Sequence, residues 1–343
     1  MVVVASSGRV AIVGAGVSGL ACARRLGDHG VDVAVFDKSR GTGGRSSTHR
    51  SGDYAFDSGA QYFSARDPLF FDQVEEWLAA GVAAEWRAEI VRLRAGEMTT
   101  GHGSRQRFVG VPGMSAPSRH VALACNVTTG FEVARVEPGR DGVALVGQDG
   151  HRECGFDAVV VAAPAPQTAA MLRSSAPGLA AVAERVPFSA CLALMVAFEK
   201  RLPLGFDGAF VDDSPLSWLA RDSSKPGRLG DETWVLHAAP GWSDANFGAE
   251  DDAVMRSLRR AFVDATGVAM PEPRYSRLHR WRYALPTEPL HDRCLFDVST
   301  GIGACGDWCA GPRVEGAFLS GIALAERVLP WLSEKATSRA GRS

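Results

Sequence analysis

The sequence contains no apolar run approaching the ~20 residues that a membrane-spanning helix needs, so no such helix is predicted. It also has no excess of basic residues, because 37 Lys and Arg stand against 39 Asp and Glu, for a net charge of −2. This balance argues against a nucleic-acid surface and against a polybasic membrane patch. Residues 1–7 are apolar or small and carry no positive side chain, so a cleavable secretory signal is not expected.

Cysteines at metal or redox spacing are also missing. The seven cysteines are scattered, no two of them form Cys-x-x-Cys, and no His/Cys cluster resembles a metal site. An odd number of dispersed thiols is typical of a reducing compartment, so we predict a cytoplasmic protein without a bound metal. Cys305 and Cys309 lie close together, and two interpretations stay open: a redox pair, or small buried residues beside a cofactor, which we favour. No Gly-x-Ser-x-Gly nucleophile motif occurs.

A strand, a glycine turn and a helix start are predicted near the beginning of the chain. Residues 9–13 are mostly apolar and end in Gly14-x-Gly16-x-x-Gly19. In this pattern Gly14 permits the tight turn, Gly16 lets the backbone approach a pyrophosphate, and Gly19 lets the helix pack on the strand. Asp37 ends a second apolar run, at the distance expected for a carboxylate that binds ribose hydroxyls. The pattern predicts a dinucleotide site, with an ordinary tight strand–helix turn as the alternative.

A second glycine motif lies near the other end of the chain. Gly306-Asp307 leads into Glu315-Gly316-Ala317, which begins a helix predicted to end near residue 332. An NAD-dependent dehydrogenase needs only the first motif, whereas a chain that wraps an extended FAD is expected to contribute a distant second one. The two motifs together therefore favour tightly bound, non-covalent FAD.

Four pieces of sequence share features with one family. They are residues 13–19, Asp37 with Gly43-Gly44-Arg45, Asp57-x-Gly59-Ala60-Gln61-Tyr62, and the ending Gly306-Asp307 with residues 314–317 and 320–321. On these pieces the chain resembles the FAD-dependent amine oxidase superfamily. Within that superfamily it is most similar to the renalase-type proteins of bacteria, and Trp281-Arg282-Tyr283 adds to this likeness.

The resemblance implies an α/β fold with two parts. One is an FAD-binding Rossmann-like domain of the glutathione reductase/p-hydroxybenzoate hydroxylase type, and the other is a discontinuous α+β substrate domain built on an antiparallel sheet. The positions of the motifs assign residues 1–63, 108–169 and 291–332 to the FAD-binding domain. Residues 64–107 and 170–290 are assigned to the substrate domain, and residues 333–343 to a flexible tail.

The resemblance also implies which residues bind the cofactor. From pyrophosphate and ribose to the flavin ring these are Gly14, Gly16, Ser18, Gly19, Asp37, Lys38, Gly44, Arg45, Ala60, Gln61, Val133, Gly306, Asp307, Glu315, Gly316 and Ala317. The last three would begin a helix pointed at the pyrimidine end of the isoalloxazine. Backbone N–H groups at a helix N-terminus stabilise the negative charge that develops there when the flavin accepts a hydride at N5.

Aromatic and polar residues elsewhere are candidates for contact with the substrate. They are Gln61, Tyr62, Phe63, His237, Trp242, Trp281, Arg282, Tyr283 and Trp308. Aromatic walls hold flat or cationic substrates by stacking and cation–π contact. Alternatives stay open: His237 as a core histidine, Trp242 as loop packing, Arg282 as a surface charge. Trp281 and Tyr283 would share one strand face, which suits a cofactor wall or a core stripe equally.

Renalase-type enzymes oxidise aberrant dihydropyridine isomers of NAD(P)H. The resemblance therefore implies hydride transfer from a C–H next to nitrogen to flavin N5, with O2 as acceptor and H2O2 as product. The partners expected are a small-molecule substrate, such as a dihydronicotinamide dinucleotide, and O2. One alternative is a flavin amine oxidase or desaturase that acts on an amine or a biosynthetic intermediate. Another is a flavin- or nucleotide-binding protein without turnover.

Overall fold

The computed structural model describes residues 8–100, 106–139, 142–228 and 230–340. The segment tested above for a secretory signal (residues 1–7) and the last three residues of the predicted tail lie outside this range. Within it the chain forms twenty strands and nine α-helices. None of the described helices has both the length and the apolar character needed to cross a bilayer.

The strands and helices follow one another in chain order. The strands are β1 (Arg9–Val13), β2 (Asp32–Asp37), β3 (His49–Ser51), β4 (Tyr54–Phe56), β5 (Ala83–Glu85), β6 (Ile90–Arg94), β7 (Glu97–Thr99), β8 (Phe108–Gly110), β9 (Asn126–Thr129), β10 (Val133–Gly139), β11 (Gly142–Gly147), β12 (Arg152–Phe156), β13 (Ala158–Val161), β14 (Phe188–Phe198), β15 (Gly208–Asp212), β16 (Leu216–Arg221), β17 (Glu232–Ala238), β18 (Tyr275–Pro286), β19 (Leu295–Asp297) and β20 (Ile302–Ala304). The α-helices are α1 (Val17–Gly27), α2 (Pro68–Ala79), α3 (Ala116–Ala122), α4 (Ala165–Leu172), α5 (Pro177–Glu184), α6 (Pro240–Ala245), α7 (Asp251–Thr266), α8 (Asp307–Ala310) and α9 (Val314–Ala340).

The first sheet places the two ends of the chain side by side. Its strand order in the described residues is β19-β20-β13-β1-β2-β9, and every pair is parallel except the antiparallel edge pair of β19 and β20. Strand β13 is buried along its whole length, as expected of a parallel strand covered on both faces. Because parallel strands end at one edge, the turns after β1, β13 and β20 meet there.

Helices α1 and α9 cover this sheet and touch each other through backbone. A Cβ added to Gly321 of α9 would lie 2.1 Å from the carbonyl oxygen of Ser18 in α1. Only glycine fits such an approach, so the helix that follows the second motif packs directly on the helix of the first. The predicted βαβ unit and Rossmann-like architecture are confirmed.

The second sheet has the order β18-β14-β17-β16-β15-β6-β7 in the described residues. One face packs on α7 through an apolar cluster that includes Leu236 of β17 and Leu258 of α7. The sheet is antiparallel as predicted in all its pairs except one, because β6 runs parallel to β15. The two strands are separated by more than a hundred residues in sequence, so no hairpin imposes an antiparallel direction on them.

Helix α9 does not end near residue 332 as predicted, but continues to Ala340. The hydroxyls of Ser333 and Thr337 donate to carbonyls one turn earlier, which is compatible with helix. The Lys335 ammonium donates to the Asp157 carbonyl at 3.1 Å, so this last part of the helix is also attached to the end of the first sheet.

Candidate cofactor site and substrate cleft

A cleft of about 2090 Å³ runs from the edge of the first sheet to the face of the second. Small-molecule pockets are usually ~300–1,000 Å³, so this volume leaves room for an extended dinucleotide and a substrate together. Its walls include both glycine motifs and residues of β14, β17 and β18.

The first glycine motif has the geometry of a phosphate cradle. Gly14 has a φ of +111°, and a Cβ there would lie 2.8 Å from the Ala162 carbonyl oxygen. Gly19 is closed off from the cleft, since its Cβ would lie 1.9 Å from the Gly14 oxygen. A Cβ on Gly16, by contrast, would meet no atom within 4 Å. The first amide bonded within α1 is that of Leu20, so the earlier N–H groups of the helix are available to an anion.

Asp37 fixes the turn beside this cradle. Its two carboxylate oxygens accept from the backbone N–H groups of Ala15 and Ser39, each at 2.7 Å. The residue lines the cleft and is 9% exposed. Because each carboxylate oxygen has a second lone pair, these two bonds leave acceptors for ribose hydroxyls.

Arg45 and Asp307 join the two glycine motifs, a pairing that the sequence did not predict. The guanidinium donates to both carboxylate oxygens, at 2.9 and 2.7 Å, and also to the Ala284 carbonyl at 3.1 Å. Both residues line the cleft. This forked geometry is the strong form of an Arg–carboxylate bond, so it holds the early loop against the start of α8.

The start of α9 also borders the cleft. The first amide bonded within this helix is that of Ala317, to the Arg313 carbonyl, so the N–H groups of Glu315 and Gly316 have no intrahelical acceptor. The Glu315 carboxylate accepts from the amides of Arg66 and Asp67, at 2.5 and 2.8 Å. Glu315 therefore anchors a loop, and what the helix offers a cofactor is its backbone.

Most of the predicted cofactor residues border one continuous space. Those that line the cleft are Gly14, Gly16, Ser18, Asp37, Lys38, Gly44, Arg45, Ala60, Val133, Gly306, Asp307, Glu315 and Ala317. Gly19, Gln61 and Gly316 do not. Gly316 packs instead on the preceding loop, where a Cβ would lie 2.2 Å from the Gly311 oxygen.

Cys305 and Cys309 are buried free thiols. Burial raises the pKa of Cys305 to about 12 and raises that of Cys309 well above its usual value. Both are therefore protonated at neutral pH, which suits packing beside a non-covalent cofactor better than a reactive pair.

The predicted substrate-facing residues divide into two groups. Tyr62, Phe63, His237, Trp281, Arg282 and Tyr283 line the cleft. Trp242, Trp308 and Gln61 do not, so their assignment to the substrate wall is wrong. Trp242 packs against the apolar cluster under α7, since the short helix α6 turns it away from the cleft. Trp308 is fully buried, and its indole N–H donates to the Ala163 carbonyl at 3.0 Å.

Gln61 instead belongs to a buried ionic cluster beneath the cleft, which the sequence did not reveal. The cluster consists of Asp57, Asp222, Lys225 and Arg228. The Lys225 ammonium lies 2.6 Å from Asp222 Oδ1, 3.3 Å from Asp57 Oδ2 and 3.2 Å from Gln61 Oε1. These cations hold the pKa of Asp57 below its usual value despite its burial, which alone would raise it.

His237 and Trp281 meet at one carbonyl above this cluster. His237 Nε2 lies 3.0 Å from the Ser58 oxygen, and the Trp281 indole N–H donates to the same oxygen at 2.9 Å. Burial lowers the pKa of His237 to about 4, so the imidazole is neutral at pH 7.

The charge on the cleft walls is strongly positive. Among the described lining residues, the cations are Lys38, Arg40, Arg45, Arg50, Arg66, Arg107, Arg119, Arg282 and Arg313, against the carboxylates Asp37, Glu132, Asp307 and Glu315. Three of the four carboxylates are already bound to backbone N–H groups or to Arg45. The fourth, Glu132, lies 3.9 Å from Lys38.

Comparisons with known protein families agree with this cofactor-site geometry. A profile for an NAD(P)-binding Rossmann-like domain covers residues 12–77, and one for a flavin-containing amine oxidoreductase covers residues 78–329. The chain belongs to the flavin-containing amine oxidoreductase family. It is an FAD-dependent oxidoreductase, and the cradle, the Asp37 turn and the N-terminus of α9 fit that cofactor.

Curated relatives match over short stretches. A zeta-carotene-forming phytoene desaturase of Myxococcus xanthus is 47% identical over 51 residues, which is 15% of this chain and 10% of the relative. A neurosporene-forming phytoene desaturase of Rhodobacter capsulatus is 30% identical over 117 residues, 26% of this chain and 22% of the relative. The matched stretch thus covers less than a quarter of each relative's length.

Solved structures share the fold over nearly the whole chain. A putative protoporphyrinogen oxidase from Exiguobacterium sp. 255-15 superposes with a TM-score of 0.75 at 12% identity, covering 94% of this chain and 98% of that one. A putrescine oxidase bound to putrescine superposes with a TM-score of 0.72 at 15% identity, covering 94% and 99%. At such identities the likeness establishes the fold alone.

Proposed function

We propose that this enzyme is a renalase-like oxidase of aberrant dihydro isomers of NAD(P). The observation that carries the proposal is the positive cleft, whose walls hold nine Lys or Arg against four carboxylates. FAD, when bound, accepts the hydride from a C–H next to nitrogen and passes the electrons to O2. The chain's own residues bind and orient the cofactor and the substrate.

The aromatic wall is suited to the flat ring of such a substrate. Trp281 and Tyr283 of β18 and Tyr62 face the cleft, and aromatic faces stack on planar rings. Trp281 is held in place by its bond to the Ser58 carbonyl. His237, whose pKa burial lowers to about 4, is neutral at pH 7 beside this wall, and no charged base is needed when the oxidised product is stabilised by its own nitrogen.

The phosphates of a dinucleotide substrate would meet the excess of cations. The pyrophosphate of FAD neutralises part of the surplus, and arginines such as Arg66 and Arg282 remain on the walls. The Arg107 guanidinium lies 5.4 Å from the centre of the Tyr62 ring, so a cation stands beside the aromatic wall. The same field would repel a protonated diamine, which counts against an activity like that of putrescine oxidase. An apolar carotenoid would bring no negative charge to balance this excess of cations.

The test is to mix the yellow holoenzyme anaerobically with 2- or 6-dihydro-NAD(P) and follow the oxidised flavin band. We expect rapid bleaching by these isomers, recovery of the band with H2O2 when air is admitted, and no bleaching by putrescine. Bleaching by amines but not by the isomers, with release of aldehyde and ammonia, would make the enzyme an amine oxidase. A spectrum that no donor bleaches would indicate a flavin-binding protein without turnover.

A charge variant makes the test specific to the cleft. Arg66→Gln should raise KM for the dinucleotide by about tenfold with kcat little changed, as expected for loss of a contact made equally in ground and transition states. Arg87→Gln is the matched control, because Arg87 is exposed and pairs only with Glu85 in the described structure. Equal kinetics for the two variants would remove the electrostatic argument for an anionic substrate.

We also propose the predicted two-part organisation, with residues 333–340 added to the FAD-binding domain because α9 continues through them, and a cytoplasmic location. The separation into two sheets supports the first proposal, and seven free cysteines support the second.

A further inference from the structure

His237 lies in the second sheet, where its ring faces the cleft. It sits on β17, opposite Ala193 of β14 and Trp218 of β16. Its Nε2 has two polar neighbours, the Ser58 carbonyl oxygen at 3.0 Å and the Gln61 side-chain nitrogen at 3.5 Å. A carbonyl requires a proton on Nε2, whereas an amide donor would require a lone pair there. The two contacts thus demand opposite tautomers.

The hydrogen bonds of Gln61 decide between them. Its Oε1 accepts from the Lys225 ammonium at 3.2 Å, which fixes the orientation of the side-chain amide. The two protons of its nitrogen are then used by the carbonyls of Asp57 and of Gly59, the latter at 3.0 Å. An amide nitrogen has only two protons, so none is left for His237.

His237 Nε2 therefore carries the proton and donates it to Ser58, and Nδ1 has a lone pair. Nδ1 has no hydrogen-bond partner among the described residues, and it is not fully buried. Since the residue lines the cleft, this nitrogen has access to it.

We propose that His237 is a specificity-determining residue whose Nδ1 is a fixed hydrogen-bond acceptor for an N–H donor of the substrate. This rests on the proposed function only in naming the donor, which for a dihydronicotinamide is the carboxamide N–H. The ionic cluster acts indirectly. Lys225 orients the Gln61 amide, and because that amide has no proton left for His237, the Nε2 proton of His237 is donated to Ser58. Lys225 and Gln61 are positioning residues in this scheme.

Such an acceptor discriminates more sharply than an apolar wall. A carboxamide satisfies it, while a carboxylate on the same ring would place a negative oxygen against a lone pair. A site built for a hydrogen bond rejects an analogue that cannot make it, since its own polar group then stays unpaired. Burial lowers the pKa of His237 to about 4, so taking up a proton to accommodate the carboxylate is costly at neutral pH.

The tautomer can be measured without turnover. Holoenzyme labelled with ¹⁵N-histidine is observed at pH 7 by long-range ¹H–¹⁵N correlation, and His237 is assigned by the signals missing in His237→Asn. We expect a protonated Nε2 and an unprotonated Nδ1. A proton on Nδ1, or on both nitrogens, would overturn the proposal whatever the substrate is.

Ligand preference tests the acceptor itself. Oxidised holoenzyme is titrated with nicotinamide and with nicotinate, and binding is read from the flavin absorbance. The cations of the cleft favour nicotinate in every variant, so the readout is the ratio of the two affinities. His237→Leu should shift this ratio about tenfold towards nicotinate, one ordinary hydrogen bond in affinity. His237→Asn, whose side chain places an amide near the position of Nδ1, should keep the wild-type ratio. His151→Leu, at an exposed histidine paired with Glu153, is the control and should behave as wild type.

The outcomes separate this proposal from the proposed function. A ratio of affinities that is unchanged in His237→Leu, or no binding of nicotinamide to wild type, would overturn the acceptor role. A His237-dependent ratio, together with no bleaching by dihydro isomers of NAD(P), would support the acceptor role and reject the proposed reaction.

Discussion

Replacing Gly321 by alanine tests whether the two ends of the chain form one cofactor site. The added Cβ would lie 2.1 Å from the Ser18 carbonyl oxygen, against the 3.4 Å where ordinary contact begins, a shortfall of about 1.3 Å. The atom it meets is backbone in the first turn of α1, so no side chain can rotate out of the way. Helix α9 must move away from the helix that carries the cradle.

The cost follows from two opposing effects. Overpacking costs ~1–3 kcal/mol, and the upper end applies where rigid backbone is struck. Alanine recovers about 1 kcal/mol of helix propensity over glycine. We therefore expect the free energy of unfolding to fall by about 1–2 kcal/mol, and the affinity for FAD to fall as the N-terminus of α1 shifts.

Gly27→Ala is the control, because Gly27 lies in α1, the helix that Gly321 contacts, and its Cβ would meet nothing within 4 Å. It should be neutral or stabilising by up to ~1 kcal/mol. Thermal unfolding and the FAD retained after gel filtration are measured for both variants. If Gly321→Ala keeps its FAD and has the same melting temperature as Gly27→Ala, the backbone contact between the two ends does not exist.

Two further predictions concern the buried groups beneath the cleft. Lys225→Met should destabilise the protein by ~3–5 kcal/mol, because it leaves Asp57 and Asp222 without their shared cation. Chemical denaturation measures this against the exposed control Lys200→Met, and equal stabilities of the two variants would contradict the cluster. Stability should also decline as pH falls from about 6.5 towards 4, since the unfolded chain protonates His237 in that window while burial keeps the folded ring neutral. In this window the melting temperature should depend less on pH in His237→Asn than in wild type, whereas His151→Asn should behave as wild type. The same pH dependence in both variants would assign the effect to other groups.

The cofactor half of the site follows from sequence because its signals are local. The first motif combines a strand, a glycine turn and a helix within about twenty residues, and each glycine has one steric reason. Gly14 has a positive φ and Gly19 contacts Gly14, as the pattern requires. Even here the bond between Arg45 and Asp307 is missed, since nothing in either segment indicates that the two pair across 262 positions.

The substrate half does not follow from sequence because sheet pairing decides which side chains face the cleft. Trp242, Trp281 and Trp308 look equivalent in the sequence, yet only Trp281 lines the cleft. Its orientation depends on the register of β18 with β14, which includes an irregularity between Ser189 and Cys191. The charges of Asp222 and Lys225, directly after the apolar strand β16, were the signal for the buried cluster.

One short segment connects the cofactor and substrate halves of the site. The Ser58 carbonyl accepts from both His237 and Trp281 of the substrate wall. The next residue, Gly59, is pressed against the backbone of Arg45, where a Cβ would lie 2.0 Å from the carbonyl oxygen. Arg45 in turn holds Asp307 of the second motif. A change that moves this segment therefore shifts the hydrogen bonds of the substrate wall and the loop of the cofactor cradle together, so substrate preference and FAD binding should vary in parallel among variants of residues 57–61.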